Sequence, residues 1–134
     1  MKIGGLELNA YQTERLVLTP ISLDHEADLF NLHNDPLVQQ AIFRNVPQTA
    51  QDVRRMLNMF LAQWDKSGFG VWMLYKKAGD GLTFVGRSGL CEYQDTGNLE
   101  QASALLKHAV GQGLGAEASR FAVTHAFENS KGRK

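Results

Sequence analysis

This sequence of 134 residues holds one cysteine, three prolines and no long apolar run. With Cys91 alone, no intramolecular disulfide can form, which excludes a disulfide-stapled secreted scaffold and points to a reducing compartment, the cytoplasm by default. No stretch reaches the roughly 18 consecutive apolar residues that a membrane helix needs. The opening MKIGGLELNAYQTERL has no apolar centre of the kind a secretory signal carries. Charge of either sign is also not in excess: 14 Lys and Arg face 14 Asp and Glu. That balance leaves no general electrostatic attraction to nucleic acid or to an anionic membrane, so neither is an expected partner. The basic end KGRK is too short to change this. Four histidines, His25, His33, His108 and His125, show no metal-ligand spacing, so no metal is expected.

What is present suits one globular domain of ordinary hydrophobic content. Residues 15–19 alternate polar and apolar, as a half-buried strand does, with Pro20 at its end or on a sheet edge. Ser22 can cap a helix over 23–33, with Asp24 and Glu26 near its positive end. Asn34-Asp35-Pro36 breaks it, and 37–40 add at most one short turn. Over 49–66, Val53, Met56, Leu57, Phe60, Leu61 and Trp64 recur at helical spacing as a core-facing stripe. Thr49 stands at its cap and Gly68 at the left-handed position after its end.

A hairpin follows: strand-forming residues 69–76, a turn at 78–81, and a second strand over 82–90. Gly86 and Gly89 inside that strand predict a bulge or a close backbone approach. Asp95-Thr96-Gly97-Asn98 reads as a turn, and 99–106 as a further strand weakened by Ala102-Ser103-Ala104. Leu114, Ala118, Phe121, Ala122 and His125 line one face of a last helix. Antiparallel strands with helices set apart make an α+β layer fold.

Between the last strand and the last helix lies AVGQGLGAEA, residues 109–118. A helix N-terminus offers unpartnered N–H groups and about half a positive charge, and glycines leave room for an anion to approach. Gly111, Gly113 and Ala116 satisfy the relaxed dinucleotide pattern, but the second strand and distant acidic residue which that reading requires have no chain to occupy. No Lys-Ser or Lys-Thr follows the glycines, which excludes a P-loop. A phosphate cradle and a glycine-rich bend without a ligand both remain open on the loop alone. His108 beside it is a phosphate contact or a solvated histidine. Cys91 is a nucleophile or, more simply, a small buried thiol.

Taken with its neighbours, the loop resembles the acetyl-coenzyme A motif of the GNAT N-acetyltransferases, whose core is Q/R-x-x-G-x-G/A between a strand and a helix. Here it runs Val110-Gly111-Gln112-Gly113-Leu114-Gly115, with Val110 where Gln or Arg is usual. Thr13-Glu14-Arg15-Leu16-Val17-Leu18 is similar to the opening strand of the RimJ/RimL-like branch, which acetylates N-terminal amines of ribosomal proteins and related substrates. Asn34-Asp35-Pro36, Gly68-Phe69-Gly70-Val71-Trp72 and Val85-Gly86-Arg87-Ser88-Gly89-Leu90 resemble further segments of it, in the same order.

The resemblance implies a mixed, mostly antiparallel sheet flanked by helices. It implies an acetyl group passed from acetyl-coenzyme A to a primary amine, a protein N-terminus or a small amine, by direct attack in a ternary complex. The pantetheine arm would lie along Ala104, Leu105 and Leu106. The pyrophosphate would meet the loop from Val110 through Gly111, Gln112, Gly113, Leu114 and Gly115 to Ala116. Glu100 matches the acidic position that often opens the family's fourth strand, and Glu92 lies near the end of the third; either would be the base that takes the amine proton. For each, an exposed strand carboxylate without a catalytic part is the plainer alternative.

Family members continue with a fifth strand, a fourth helix and a final hairpin, where this sequence reaches only the polar residues 128–134. The expectation is therefore a C-terminally shortened domain with an open sheet edge, which a second copy would cover in a homo-oligomer. A binding or assembly module without catalysis is the alternative function.

Overall fold

The computed structural model describes residues 2–3, 6–7, 10–92 and 96–129. Two short strands, β1 (Lys2–Ile3) and β2 (Leu6–Glu7), pair with each other, and the rest of the chain builds a separate antiparallel sheet. Its strands are β3 (Tyr11–Gln12), β4 (Leu16–Pro20), β5 (Val71–Ala78), β6 (Gly81–Glu92) and β7 (Leu99–Gln101), side by side in chain order, with β8 (Ala104–Leu105) also on β6.

Between β4 and β5 come three helices. Ser22 caps a 3-10 turn, Leu23–His25, that runs into α1 (Glu26–His33). The break at 34–36 then opens a second helix, α2 (Pro36–Ile42), longer than the single turn expected. The reason is local: Asp35 accepts hydrogen bonds from the N–H groups of Leu37 (3.1 Å) and Val38 (3.3 Å), and Pro36 stands where its missing N–H costs nothing. The third, α3 (Ala50–Ser67), has the expected ends. Thr49 and Asp52 bond each other's backbone N–H at 3.0 and 2.9 Å, and Gly68 takes φ 80°. The last helix is α4 (Leu114–Asn129).

The sheet is the middle of three layers. Along β5, Val71 and Met73 pack with Leu29, Leu32, Val38, Val53, Leu57 and Phe60 of α1–α3. Trp72 and Leu74, pointing the other way, pack with Leu114, Ala118 and Ala122 of α4. The small side chains of α4 let it lie close on the sheet. Trp72 is edge-on to Trp64 (5.0 Å between ring centres), Phe121 (5.1 Å) and His125 (4.8 Å).

Both expectations for the glycines of β6 are met. Leu74 pairs with Gly86 but Tyr75 with Phe84, so Val85 is an inserted residue, a bulge. A Cβ on Gly86 would stand 2.2 Å from the carbonyl oxygen of Ala104, and one on Gly89 2.1 Å from that of Gly70. The expected turn at 95–98 begins at Asp95, outside the described residues, as do residues 130–134.

Candidate functional site

β7 and β8 are one edge strand in a single register. Glu92, Cys91 and Leu90 pair with Leu99, Glu100 and Gln101, and without a slip Arg87 and Gly86 pair with Ala104 and Leu105. The Ala102 N–H donates to Gly89 (2.7 Å) and the Leu106 N–H to Val85 (2.8 Å). Even-numbered residues therefore turn their backbone groups toward β6, and Gln101, Ser103 and Leu105 turn theirs toward the open edge. Leu106 thus has its N–H engaged inside the sheet. The Ser103 hydroxyl lies 2.7 Å from that of Ser88, and Gln101 Nε2 donates to both at 3.0 and 2.9 Å.

From β8 the chain passes through a 3-10 turn, Lys107–Ala109, into the glycine loop. Gly111 and Gly113 take φ 85° and 81°, conformations that side chains with a Cβ resist. A Cβ on Gly111 would meet no atom within 4 Å. The N–H groups of Gly111, Gln112 and Gly113 have no acceptor among the described residues. Those of Leu114, Gly115 and Ala116 are first-turn donors with no intrahelical partner. Six consecutive donors on an uncluttered turn make a cradle for a diphosphate-sized anion.

The loop is held from behind by residues far away in sequence. Glu117, buried in the first turn of α4, accepts from Thr13 Oγ1 (2.5 Å), the Arg15 N–H (2.8 Å) and Arg15 Nε (2.7 Å). Burial works against its charge, yet these donors together hold its carboxyl below the usual range. Arg15 Nη1 donates to the Gln112 carbonyl (2.6 Å), and Lys76 Nζ to Gln112 Oε1 (2.7 Å).

This geometry has counterparts among known proteins. The acetyltransferase (GNAT) domain family model matches residues 15–134. The chain belongs to the GNAT acetyltransferase family. Solved structures with its fold include a GnaT-family acetyltransferase from Bordetella pertussis (TM-score 0.73, 22% identity, covering 89% of this chain and 73% of that one). An acetyltransferase from Agrobacterium tumefaciens str. C58 is similar at TM-score 0.72 and 21% identity, with 92% and 69% covered. No curated protein matches the sequence. GNAT proteins use acetyl-coenzyme A, and the open turn with its unpartnered N–H groups fits the pyrophosphate of that molecule.

The two carboxylates expected as bases do not meet in this GNAT domain. Glu100 lies opposite Cys91, and Glu92 opposite Leu99, one residue out of step, so they project from opposite faces of the sheet. Glu92 is bound to Lys66 and accepts from the Gly97 N–H at 3.0 Å. The Lys66 hydrogen bond holds its carboxyl below the usual range, against an opposing effect of burial. Glu92 also lines, with Phe69, Leu90, Leu99 and Phe127, a cavity of about 240 Å³. Glu100 is exposed on β7. Burial pushes the Cys91 thiol up to about 11, against the pull of Arg87, so it stays protonated and non-nucleophilic near neutral pH.

Beneath the edge strand lies a group the motifs do not single out. Arg87 is buried, donating from Nε to His33 Nε2 (3.0 Å) and from Nη1 to the Ala102 carbonyl (2.7 Å), over the Phe60 ring. Burial and then the Arg87 charge push the His33 imidazole down to about 3, so it is a neutral acceptor for the guanidinium. No helix among the described residues is long and apolar enough to cross a membrane.

The motifs also leave out Thr13, Lys76 and Glu117 as parts of the site, and mark Arg15 only as part of a strand. Glu117 sits just past the loop motif, but nothing in its spacing names a partner over a hundred residues away.

Proposed function

We propose that this GNAT domain is an N-acetyltransferase of the RimJ/RimL-like kind, moving an acetyl group to the primary amine of a protein N-terminus or a small molecule by direct attack in a ternary complex. The observation that carries the reading is the edge strand with outward backbone groups leading straight into six unpartnered loop amides. Bound acetyl-coenzyme A supplies a thioester carbonyl activated for attack. Ser103 and Leu105 offer the backbone groups for its arm, along the segment that holds Ala104 and leads to Leu106. Val110 to Ala116 form the turn for its pyrophosphate, with the N–H groups from Gly111 onward as donors.

Glu100, exposed on that same edge strand, is the better placed base for the incoming amine, acting directly or through water. Glu92 is the weaker candidate, because Lys66 stabilises its anion. Holding donor and amine side by side supplies much of the rate. The single cysteine supports a working place in the cytoplasm. Calorimetry with acetyl-coenzyme A, followed by mass spectrometry of a panel of peptide and small-molecule amines, tests the reading. Absence of binding at millimolar donor overturns it.

A second reading is favoured by one observation: β7 is exposed along its whole length. On this reading the open edge pairs with another chain, as a homo-oligomer, and the domain is an assembly module. Sedimentation at micromolar concentration tests the pairing; a strictly monomeric species overturns it. Acyl transfer that is lost in Gly113→Glu excludes the non-catalytic form of this reading.

A further inference from the structure

The peptide joining Gln112 and Gly113 is oriented by a side chain from the other end of the sequence. In a trans peptide the C=O and the following N–H point in opposite directions. Arg15 Nη1 takes the Gln112 carbonyl at 2.6 Å, which turns the Gly113 N–H away from Arg15 to where no described residue accepts it. The guanidinium has little freedom to do otherwise. Its Nε is held at 2.7 Å by Glu117 Oε1, while Glu117 Oε2 grips the Arg15 N–H and the Thr13 hydroxyl. A Cβ on residue 113 would come within 3.2 Å of Arg15 Nη2, so the guanidinium lies close against the loop, and the φ of 81° is what favours glycine there. The Gln112 side chain is fixed as well, between Lys76 Nζ (2.7 Å) and the His108 carbonyl (3.1 Å).

We propose that Arg15, clamped by Glu117, is the positioning residue of the loop: it sets the 112–113 peptide so that the Gly113 N–H joins those of Leu114, Gly115 and Ala116 in facing the donor's pyrophosphate. The inference rests on the acetyl-coenzyme A reading. Arg15 acts through orientation, because its charge is balanced by Glu117 and its Nε and Nη1 are engaged by the Glu117 carboxylate and the Gln112 carbonyl. Two consequences follow. A donor that lacks the pyrophosphate depends less on Arg15. A lysine does not replace it, since one ammonium cannot span both the Glu117 carboxylate and the Gln112 carbonyl.

The experiment compares wild type, Arg15→Lys and Arg15→Met. Coenzyme A affinity is measured by calorimetry, and kcat/KM is measured with S-acetylpantetheine, whose arm ends before the pyrophosphate. Both variants are expected to bind coenzyme A about tenfold more weakly, the scale of one hydrogen bond to a charged group. The loss of kcat/KM with S-acetylpantetheine is expected to be smaller than the loss of coenzyme A affinity, because that donor has no pyrophosphate for the loop amides to meet. Arg15→Lys retains the Glu117 pair and guards against a mere folding defect in Arg15→Met. Equal loss with both donors, or undiminished coenzyme A binding by Arg15→Lys, overturns the positioning role. Failure of the wild type to bind coenzyme A overturns the donor reading itself, so the wild type alone tells the two failures apart.

Discussion

Two stretches of this chain are rich in glycine, and they use it for opposite ends. In β6, Gly86 and Gly89 stand where neighbouring backbone has already filled the space: a Cβ would lie 2.2 or 2.1 Å from a carbonyl oxygen. In the 110–116 loop, a Cβ on Gly111 would meet nothing at all within 4 Å. The first pair lets the protein close upon itself. The second leaves a surface clear, with N–H groups that no described residue accepts. A glycine whose missing side chain is filled by the protein's own backbone is structural. One beside unpartnered donors and empty space leaves room for the pyrophosphate that the acetyl-coenzyme A reading puts there.

The largest effect that tests this contrast is expected on the interior side. Gly89→Ala drives a methyl into the Gly70 carbonyl and costs about 3 kcal/mol, at the upper end for overpacking. Urea unfolding measures it, and a cost under about 1 kcal/mol would mean that β5 and β6 can separate more easily than the contact implies.

Gly111→Ala is expected to cost only about 1–2 kcal/mol of stability, the strain of a positive φ, yet to weaken acetyl-coenzyme A binding by roughly tenfold or more. Gly111→Asn separates the two causes, because asparagine tolerates that conformation better while still projecting a side chain. If Asn restores both stability and affinity, the empty space beside Gly111 has no ligand to admit.

Acid distinguishes the same two regions. His33, which supports Arg87 between the two β6 glycines, has its folded pKa depressed from 6.5 to about 3. Its contribution is therefore complete above pH 6.5 and lost as pH falls toward 3, by no more than about 1.4 kcal/mol per pH unit. Glu117 behind the loop is also depressed, from 4.5, so its contribution is complete above pH 4.5 and lost only below. Between pH 6.5 and 4.5 the melting temperature is expected to fall while Glu117 keeps the loop anchored. Coenzyme A affinity that falls in step with stability over that window would break the separation.

The smallest effect is expected at Gly115, inside α4, where a Cβ would make an ordinary 3.6 Å contact with Leu105. Gly115→Ala is predicted to be neutral or to stabilise by up to about 1 kcal/mol, through helix propensity. A clear destabilisation by thermal melting would show that the first turn of α4 tolerates less than its surroundings suggest.

Most of the elements are legible in the sequence, and for a common reason. The stripe from Val53 to Trp64, the Thr49 and Gly68 ends of α3, the hairpin around Gly79, and the helix after the loop are each specified within a few residues. Caps, turns and apolar periods act at that range. The weak strand propensity at Ala102-Ser103 corresponds to the gap between β7 and β8. The Asp35-Pro36 start of α2 is harder to read, because a break and a cap use the same residues. The family is legible too, through the colinear motifs that resemble it.

What only the tertiary structure decided is which distant groups meet. The register of the edge strand on β6 sends Glu92 and Glu100 to opposite faces, and a shift of one residue would have reversed that. The same register chooses Ser103 and Leu105, over Ala104 and Leu106, to face the open edge. Arg15 and Glu117 are neighbours only because β4 and α4 pack together. Sequence alone thus specified short-range geometry, where one residue constrains the next few. Pairing across a hundred residues depends on strand register and packing, which no local pattern carries.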